Sequence, residues 1–175
     1  MLITVAILGL IATFTIPKII TSNQNGQYNA KAKEVAAMVS GAYQQYQAQN
    51  SSVTAGVGIE DLTPYMNYVA TDTSTVIDDK QNQGTYTCGG GGAAYCLRLH
   101  NGAMFRYGRK TSYNFGGTSA TDNTWFDIDP DSTTDGTTNG PGKALEFVLF
   151  YNGRISTRGV VNSSNQDPLW FNWQQ

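Results

Sequence analysis

Apolar residues are concentrated at the amino terminus of the chain. Residues 1–20 read MLITVAILGLIATFTIPKII, with no charged residue before Lys18 and no acidic one before Glu34. About 20 apolar residues suffice for a helix to span a membrane. A helix that is apolar on every side must be buried in lipid or among other helices. The pattern therefore predicts that residues 1–20 form a membrane anchor or part of a helical core.

Residues 21–50 have the pattern of a helix with one apolar face. Their larger or apolar side chains recur in steps of three and four. The stretch Asn50-Ser51-Ser52 is typical of a helix end. We therefore predict one helix of about 45–50 residues, whose second half packs on a globular domain at residues 51–175. The residues of the apolar face are Tyr28, Ala32, Val35, Val39, Ala42, Tyr43 and Tyr46.

Two Asn-Gly pairs in the globular domain each separate two strand-like runs. Asn-Gly favours a type I′ hairpin turn, because both central residues of that turn need positive φ. With one further strand at residues 123–129, roughly four to six antiparallel strands are expected. Residues 59–69 predict a short helix or turn, and residues 70–83 a surface loop. The hairpins pair residues 95–100 with 103–107 and residues 145–151 with 154–157.

The apolar segment resembles the amino-terminal helix of type IV pilins and the related pseudopilins. The resemblance covers Leu2 to Ala12 (LITVAILGLIA) and the following Ile16-Pro17. It places the family's Phe-Thr-Leu-Ile-Glu segment before Met1, outside this sequence. Together with the strand pattern it implies an α+β fold, the pilin-like ladle, in which a long N-terminal α-helix packs on a small antiparallel β-sheet. The residues assigned to assembly are Leu2, Val5, Gly9, Ala12 and Pro17.

The resemblance implies a structural subunit and not an enzyme, namely the major pilin of a type IV pilus-like extracellular filament. Such a subunit waits in the inner membrane, is handled by the pilus assembly machinery, and then joins copies of itself in a helical homopolymer on the cell surface. One alternative is a pseudopilin of a type II secretion system. An alternative from another class is a membrane-anchored extracytoplasmic carbohydrate-binding domain that uses Trp125, Trp170 or Trp173.

Composition excludes several other functions. The net charge of −2 and the pI of about 5.2 provide no basic footprint for nucleic acid. A single histidine, His100, excludes multi-histidine metal sites, and its place beside a turn favours an exposed hairpin tip. Arg106, Arg109 and Lys110 lie among aromatic residues, a composition that suits a subunit contact or internal cation–π packing as well as DNA.

The only two cysteines, Cys88 and Cys96, enclose a glycine-rich loop. Their spacing fits neither a CxxC redox motif nor a zinc site. In an oxidising compartment they are expected to form a disulfide, and the alternative is two buried free thiols. The aromatic carboxyl-terminal residues 168–173 suit either a last strand or a patch that docks on a neighbouring subunit.

Three aspartates at alternate positions form an acidic loop. Asp127, Asp129 and Asp131, with Asp135 further on, supply the oxygen ligands that Ca²⁺ prefers. The EF-hand pattern itself fails, since Ser132 stands at its turn glycine. Pseudopilins carry a calcium-binding acidic loop at a similar place, so the resemblance implies a candidate calcium site at these four residues. The alternative is a solvated loop in which the aspartates cap turns.

Overall fold

The computed structural model describes most of the chain, with the side chains of its first helix described from Ser22 onward. That helix, α1, comprises Leu2–Asn50. It is followed by the short helix α2, Ile59–Leu62, and a 3₁₀ turn at Thr63–Tyr65, as expected for this segment. The described residues are 2–50, 52–78, 85–89, 94–134, 142–161, 167 and 171–172.

The described strands form two antiparallel sheets. Six of them make one sheet in the order β1-β4-β5-β6-β7-β8, whereas β2 and β3 pair only with each other. A last short helix, α3, comprises Arg158–Val161. The strands are β1 Ala70–Asp72, β2 Val76–Asp78, β3 Thr85–Thr87, β4 Ala94–Arg98, β5 Met104–Gly108, β6 Asn123–Asp129, β7 Leu145–Phe150 and β8 Ile155–Thr157.

One side of the six-stranded sheet faces α1. Successive residues of a strand point to opposite sides, so partners in register across the strands share a side. The register joins Leu97, Phe105, Ile128 and Leu145 in one apolar row. This row belongs to the same core as Val35, Val39 and Tyr43 of α1, which are buried as predicted.

The far side of the sheet is also buried, although it carries charge. A second row, here called the far-side row, joins residues of β1, β4, β5, β6 and β7 in register and is almost inaccessible to solvent. The β2–β3 hairpin contributes Ile77 and Tyr86 to a small apolar cluster on this side. The sheet is therefore covered on both sides. The far-side row is Asp72, Cys96, Arg106, Asp127 and Glu146.

Both predicted hairpins are confirmed, but their predicted turn type is wrong. Gly102 and Gly153 have φ of +81° and +82°, whereas Ser132 is the one non-glycine residue with positive φ in the described part. The amide of Gly102 donates to Leu99 O, and a second bond joins Leu99 N to Ala103 O. Each loop thus has three residues and forms a type I turn that ends at a left-handed glycine. Only this glycine needs positive φ.

The predicted fold class, a ladle with a long helix on a small sheet, is wrong. The described globular part is mostly β, with a large six-stranded sheet, and about 29 residues of the helix, from Ser22, have described side chains. The predicted surface loop at residues 70–83 contains β1 and β2. Three-residue strands are too short to display a period of two, and strands buried on both sides lack alternation. These features explain why the sequence analysis missed β1 and β2.

Candidate functional site

The first described side chains of helix α1 are open to solvent. Ser22, Asn23 and Gln24 are exposed, and in the described part the first buried side chain is that of Asn29. The predicted assembly residues Leu2, Val5, Gly9, Ala12 and Pro17 lie on the backbone of α1. Their side chains lie outside the described residues, so their role stays a prediction. Within the described residues, no helix combines the length and apolar character needed to cross a membrane.

The acidic loop holds α1 where the helix meets the globular part. The Tyr28 hydroxyl donates to Asp131 Oδ2 at 3.3 Å. The Lys31 ammonium donates to the carbonyl oxygen of Pro130 at 2.7 Å. On the other side of the loop, Ser132 Oγ donates to Gly102 O at 2.7 Å. These contacts tie one turn of the helix to the β4–β5 and β6–β7 connections.

A carboxyl-terminal segment reaches the same turn of α1. The backbone amide of Asn172 donates to Asn29 Oδ1 at 3.2 Å. The ring of Phe171 is buried and packs edge-on against Phe147, with 5.6 Å between centroids. This part of the aromatic tail therefore packs on the chain's own core. The tail residues 168–170 and 173 lie outside the described residues.

The aspartates of the predicted calcium site have separate partners. Asp127 Oδ2 lies 2.7 Å from Arg106 Nε. Asp129 Oδ1 accepts the backbone amides of Asp131 and Ser132, at 3.2 and 2.8 Å. Asp131 Oδ1 accepts the amide and hydroxyl of Thr133. These bonds are those of aspartates that form turns.

The calcium site itself stays a prediction. Among the described residues, no group of three or more His, Cys, Asp or Glu side chains is arranged to hold a metal ion. Asp135, the fourth ligand of the predicted set, lies outside the described residues.

The far-side row contains ion pairs that sequence reasoning missed. Arg106 and Asp127 are both almost completely buried, with side chains 5% and 2% exposed. The guanidinium of Arg106 lies over the ring of Tyr86, 4.4 Å from its centroid, and over that of Trp125, at 5.2 Å. Charged residues within the strands at residues 104–108, 123–129 and 145–150 could have predicted these ion pairs. A charged residue in a buried strand requires a partner.

The predicted basic and aromatic cluster is divided between two surroundings. Arg106 points into the far side of the sheet, whereas Lys110 pairs with Asp61 at 2.8 Å in solvent. Arg109 lies over the ring of Tyr95, with 4.8 Å to the centroid. Internal cation–π packing, one of the three possibilities considered for this cluster, is therefore present at Arg106 and Arg109.

Of the three tryptophans in the carbohydrate-binding alternative, the structure describes Trp125. Trp125 is partly buried and contacts Arg106 and Tyr113, the latter with 4.6 Å between ring centroids. Trp170 and Trp173 lie outside the described residues.

A groove of about 270 Å³ lies between α1 and the β4–β5 turn. His100 is exposed at its rim, as predicted for a hairpin tip. Asn101 Nδ2 donates to Glu34 Oε2 at 3.0 Å, which ties the turn to the helix. The described lining contains neither a serine nor a cysteine that His100 could activate. It consists of Glu34, Val35, Met38, Asn67, Leu99, His100 and Asn101.

The predicted disulfide is confirmed: Cys88 and Cys96 are bonded, with 5.5 Å between their Cα atoms.

Comparison with known proteins does not assign the chain to a family. No family model matches the chain, and no match was found among curated proteins or solved structures.

Proposed function

We propose that this chain is a structural subunit, a major pilin, of a type IV pilus-like extracellular filament. The observation that carries the proposal is the continuation of α1 to Leu2, which lies 27 residues before Asn29, the first buried side chain in the described part of the helix. The sequence of that continuation is uncharged up to Pro17 and almost entirely apolar. Apolar surface of this extent requires lipid or other helices around it. The proposal depends on the helix and not on the size of the sheet.

The proposed mechanism is an exchange of surroundings. Residues 2–20 wait in the inner membrane and are then passed by an assembly machinery into a bundle of equivalent helices. Lipid and helix core are similarly apolar, so lateral packing offsets the loss of lipid contacts. Thr4, Gly9, Ala12 and Thr13 are small enough to allow close approach of neighbouring helices.

The contacts that residues 28–31 of α1 make with the globular part suit this mechanism. Tyr28, Asn29 and Lys31 bind two separate loops of the globular part. A helix held in this way transmits its position in the bundle to the domain that it carries. The globular part then forms the outer surface of the filament.

A pseudopilin of a type II secretion system is the second candidate. The observation that favours it is the acidic sequence of the loop that begins at Asp127 and that contacts α1 through Pro130 and Asp131. Filament length separates the two candidates, because a pseudopilin forms a short polymer and a major pilin a long one.

The test compares two aspartate substitutions in the full chain. Val5→Asp puts a carboxylate into the apolar half of α1, where burial of an unpaired charge costs several kcal/mol. Gln24→Asp makes the same kind of change at an exposed position and is the matched control. Sheared surface material from the source cells is examined by electron microscopy and mass spectrometry. Immunoblots of whole cells verify that the variants are present at equal levels.

We expect long filaments of this chain from the wild type and from Gln24→Asp, and none from Val5→Asp. Filaments built equally well by Val5→Asp would refute assembly through the helix. Wild-type protein found only in membranes or in short polymers would refute the major pilin and favour the pseudopilin.

A further inference from the structure

Two of the four Asn-Gly pairs in the chain lie in the same kind of turn. Asn101-Gly102 and Asn152-Gly153 are the last two residues of their three-residue loops, and both glycines have positive φ. In each loop the glycine amide donates to the carbonyl oxygen three residues earlier, and the asparagine Oδ1 accepts the amide two residues later. Of the other pairs, Asn25-Gly26 is inside α1, and residues 139–140 lie outside the described residues.

The two asparagine side chains differ in what holds the amide nitrogen. Asn101 Nδ2 donates to Glu34 Oε2 at 3.0 Å, so both ends of this amide are bonded. Asn152 is exposed, and its side chain makes one described hydrogen bond, from the Arg154 amide to Oδ1 at 3.1 Å. The side chain of Asn152 is therefore less restrained than that of Asn101.

An asparagine that precedes a glycine reacts with its own backbone. The glycine nitrogen attacks Cγ of the asparagine, and glycine lacks the Cβ that would hinder this approach. A new N–Cγ bond forms, the bond from Cγ to the side-chain nitrogen breaks, and ammonia leaves with the proton of the glycine amide. Water then opens the succinimide ring at either carbonyl, which gives aspartate or isoaspartate.

We propose that Asn152 is a site of spontaneous deamidation in the folded protein and that Glu34 protects Asn101 from the same reaction. The attack requires Cγ to turn toward the glycine nitrogen, so the side chain must leave its hydrogen bonds. At Asn101 this step breaks an additional bond to a charged group, which slows the reaction about 10-fold relative to Asn152. The attacking amide also loses its proton and becomes negative, which the neighbouring carboxylate disfavours.

A nearby lysine opposes this protection but is engaged elsewhere. Lys31 Nζ lies 3.8 Å from the position that a Cβ would take on Gly102, and a cation favours loss of the amide proton. The ammonium donates to Pro130 O at 2.7 Å, which holds it at the acidic loop. The Glu34 carboxylate contacts the reacting side chain itself, so we expect its effect to be the larger one.

Both turns contact α1, so the products of the reaction change contacts with the helix. An aspartate at position 101 places a second carboxylate beside that of Glu34, and the two repel. At the other turn, a Cβ on Gly153 would lie 2.9 Å from Tyr43 Cε1. The additional main-chain carbon that isoaspartate brings into this loop therefore has little room.

Ageing of the full chain at constant pH and temperature tests the proposal. Trypsin places the two asparagines in separate peptides, residues 99–106 and 144–154. Mass spectrometry of these peptides gives the fraction of amide converted to acid, and a sample taken at time zero corrects for reaction during digestion. The samples are folded wild type, wild type in concentrated urea, Glu34→Ala and Glu34→Gln. Asn152 is the internal control in both variants.

In folded wild type we expect Asn152 to react about 10-fold faster than Asn101. In urea the two rates should become similar, because the hydrogen bonds of the turns are lost. In Glu34→Ala the rate at Asn101 should rise about 10-fold while that at Asn152 stays unchanged. Glu34→Gln keeps an acceptor without the charge, so it should give an intermediate rate at Asn101.

Three results would overturn the proposal. Equal rates at the two asparagines in folded wild type would mean that Glu34 gives no protection. An unchanged rate at Asn101 in Glu34→Ala would mean the same. An Asn152 that reacts in urea but not in the folded protein would mean that the turn itself blocks the attack. Glu34 is exposed, so its replacement is expected to leave the fold intact, and an unchanged rate at Asn152 verifies this. The deamidation and filament proposals are independent, and neither test bears on the other.

Discussion

Replacement of Arg106 by methionine tests the importance of the buried ion pair. Arg106 and Asp127 lie 2.7 Å apart, and their side chains are 5% and 2% exposed. In Arg106→Met, the carboxylate of Asp127 stays buried without its cation, which typically costs 3–5 kcal/mol. Loss of the contacts with Tyr86 and Trp125 adds about 1 kcal/mol. We expect the free energy of unfolding to fall by about 5 kcal/mol, a large part of the stability of a domain.

Two control variants separate charge burial from loss of a side chain. Lys110→Met removes a cation that pairs with Asp61 at a similar distance but is 51% exposed. We expect this change to cost far less than Arg106→Met, because solvent screens an exposed ion pair. The double variant Arg106→Met/Asp127→Leu removes both buried charges and is expected to recover most of the loss.

Urea unfolding followed by far-ultraviolet circular dichroism measures the four proteins. Equal m-values are required, so that differences in midpoint report stability. A loss below about 1 kcal/mol for Arg106→Met would contradict the reasoning. A double variant no more stable than Arg106→Met would also contradict it, because removal of the second buried charge would then recover nothing.

Three further predictions concern titration and the acidic loop. Burial favours a raised pKa for Asp72, but hydrogen bonds from backbone amides and Arg98 outweigh it and hold the pKa well below 3.8. Acid titration of unfolding should therefore show that stability falls as the pH drops below about 4, and that the fall is larger in wild type than in Asp72→Asn. Burial, with the charge of Glu60, raises the pKa of Tyr107 to about 12. Stability should fall between about pH 10 and 12, and less in Tyr107→Phe, because the unfolded phenol ionises first. Asp129→Ala should lower the melting temperature in chelator, since two backbone amides lose their acceptor. A larger decrease in the melting temperature in calcium than in chelator would support the predicted calcium site.

Local patterns predicted the elements that neighbouring residues can specify. The apolar face of α1, the strand at residues 123–129 and both Asn-Gly hairpins depend on period and turn chemistry within a few residues. Asn101 and Gly102 also show the limit of such reasoning. The pair is compatible with a type I′ turn and with a three-residue loop, and the register of β4 against β5 selected the latter.

The predicted site residues show the same limit. Asp127, Asp129 and Asp131 alternate along the chain, which suggested one set of metal ligands. In the fold, Asp127 faces Arg106 on the far side of the sheet, and the other two hold turns. Sequence spacing cannot distinguish these outcomes, since the partners of each carboxylate come from distant segments.

The sequence by itself determined the apolar and one-sided halves of α1, the hairpins and the pairing of its only two cysteines. These features follow from side-chain periodicity, from glycine's tolerance of positive φ and from the lack of any other cysteine. Only the tertiary structure decided that β1 joins the large sheet, that β2–β3 covers its far side and that Arg106 and Asp127 are buried together. Those outcomes depend on contacts between distant segments, which a short strand or a lone charge does not specify.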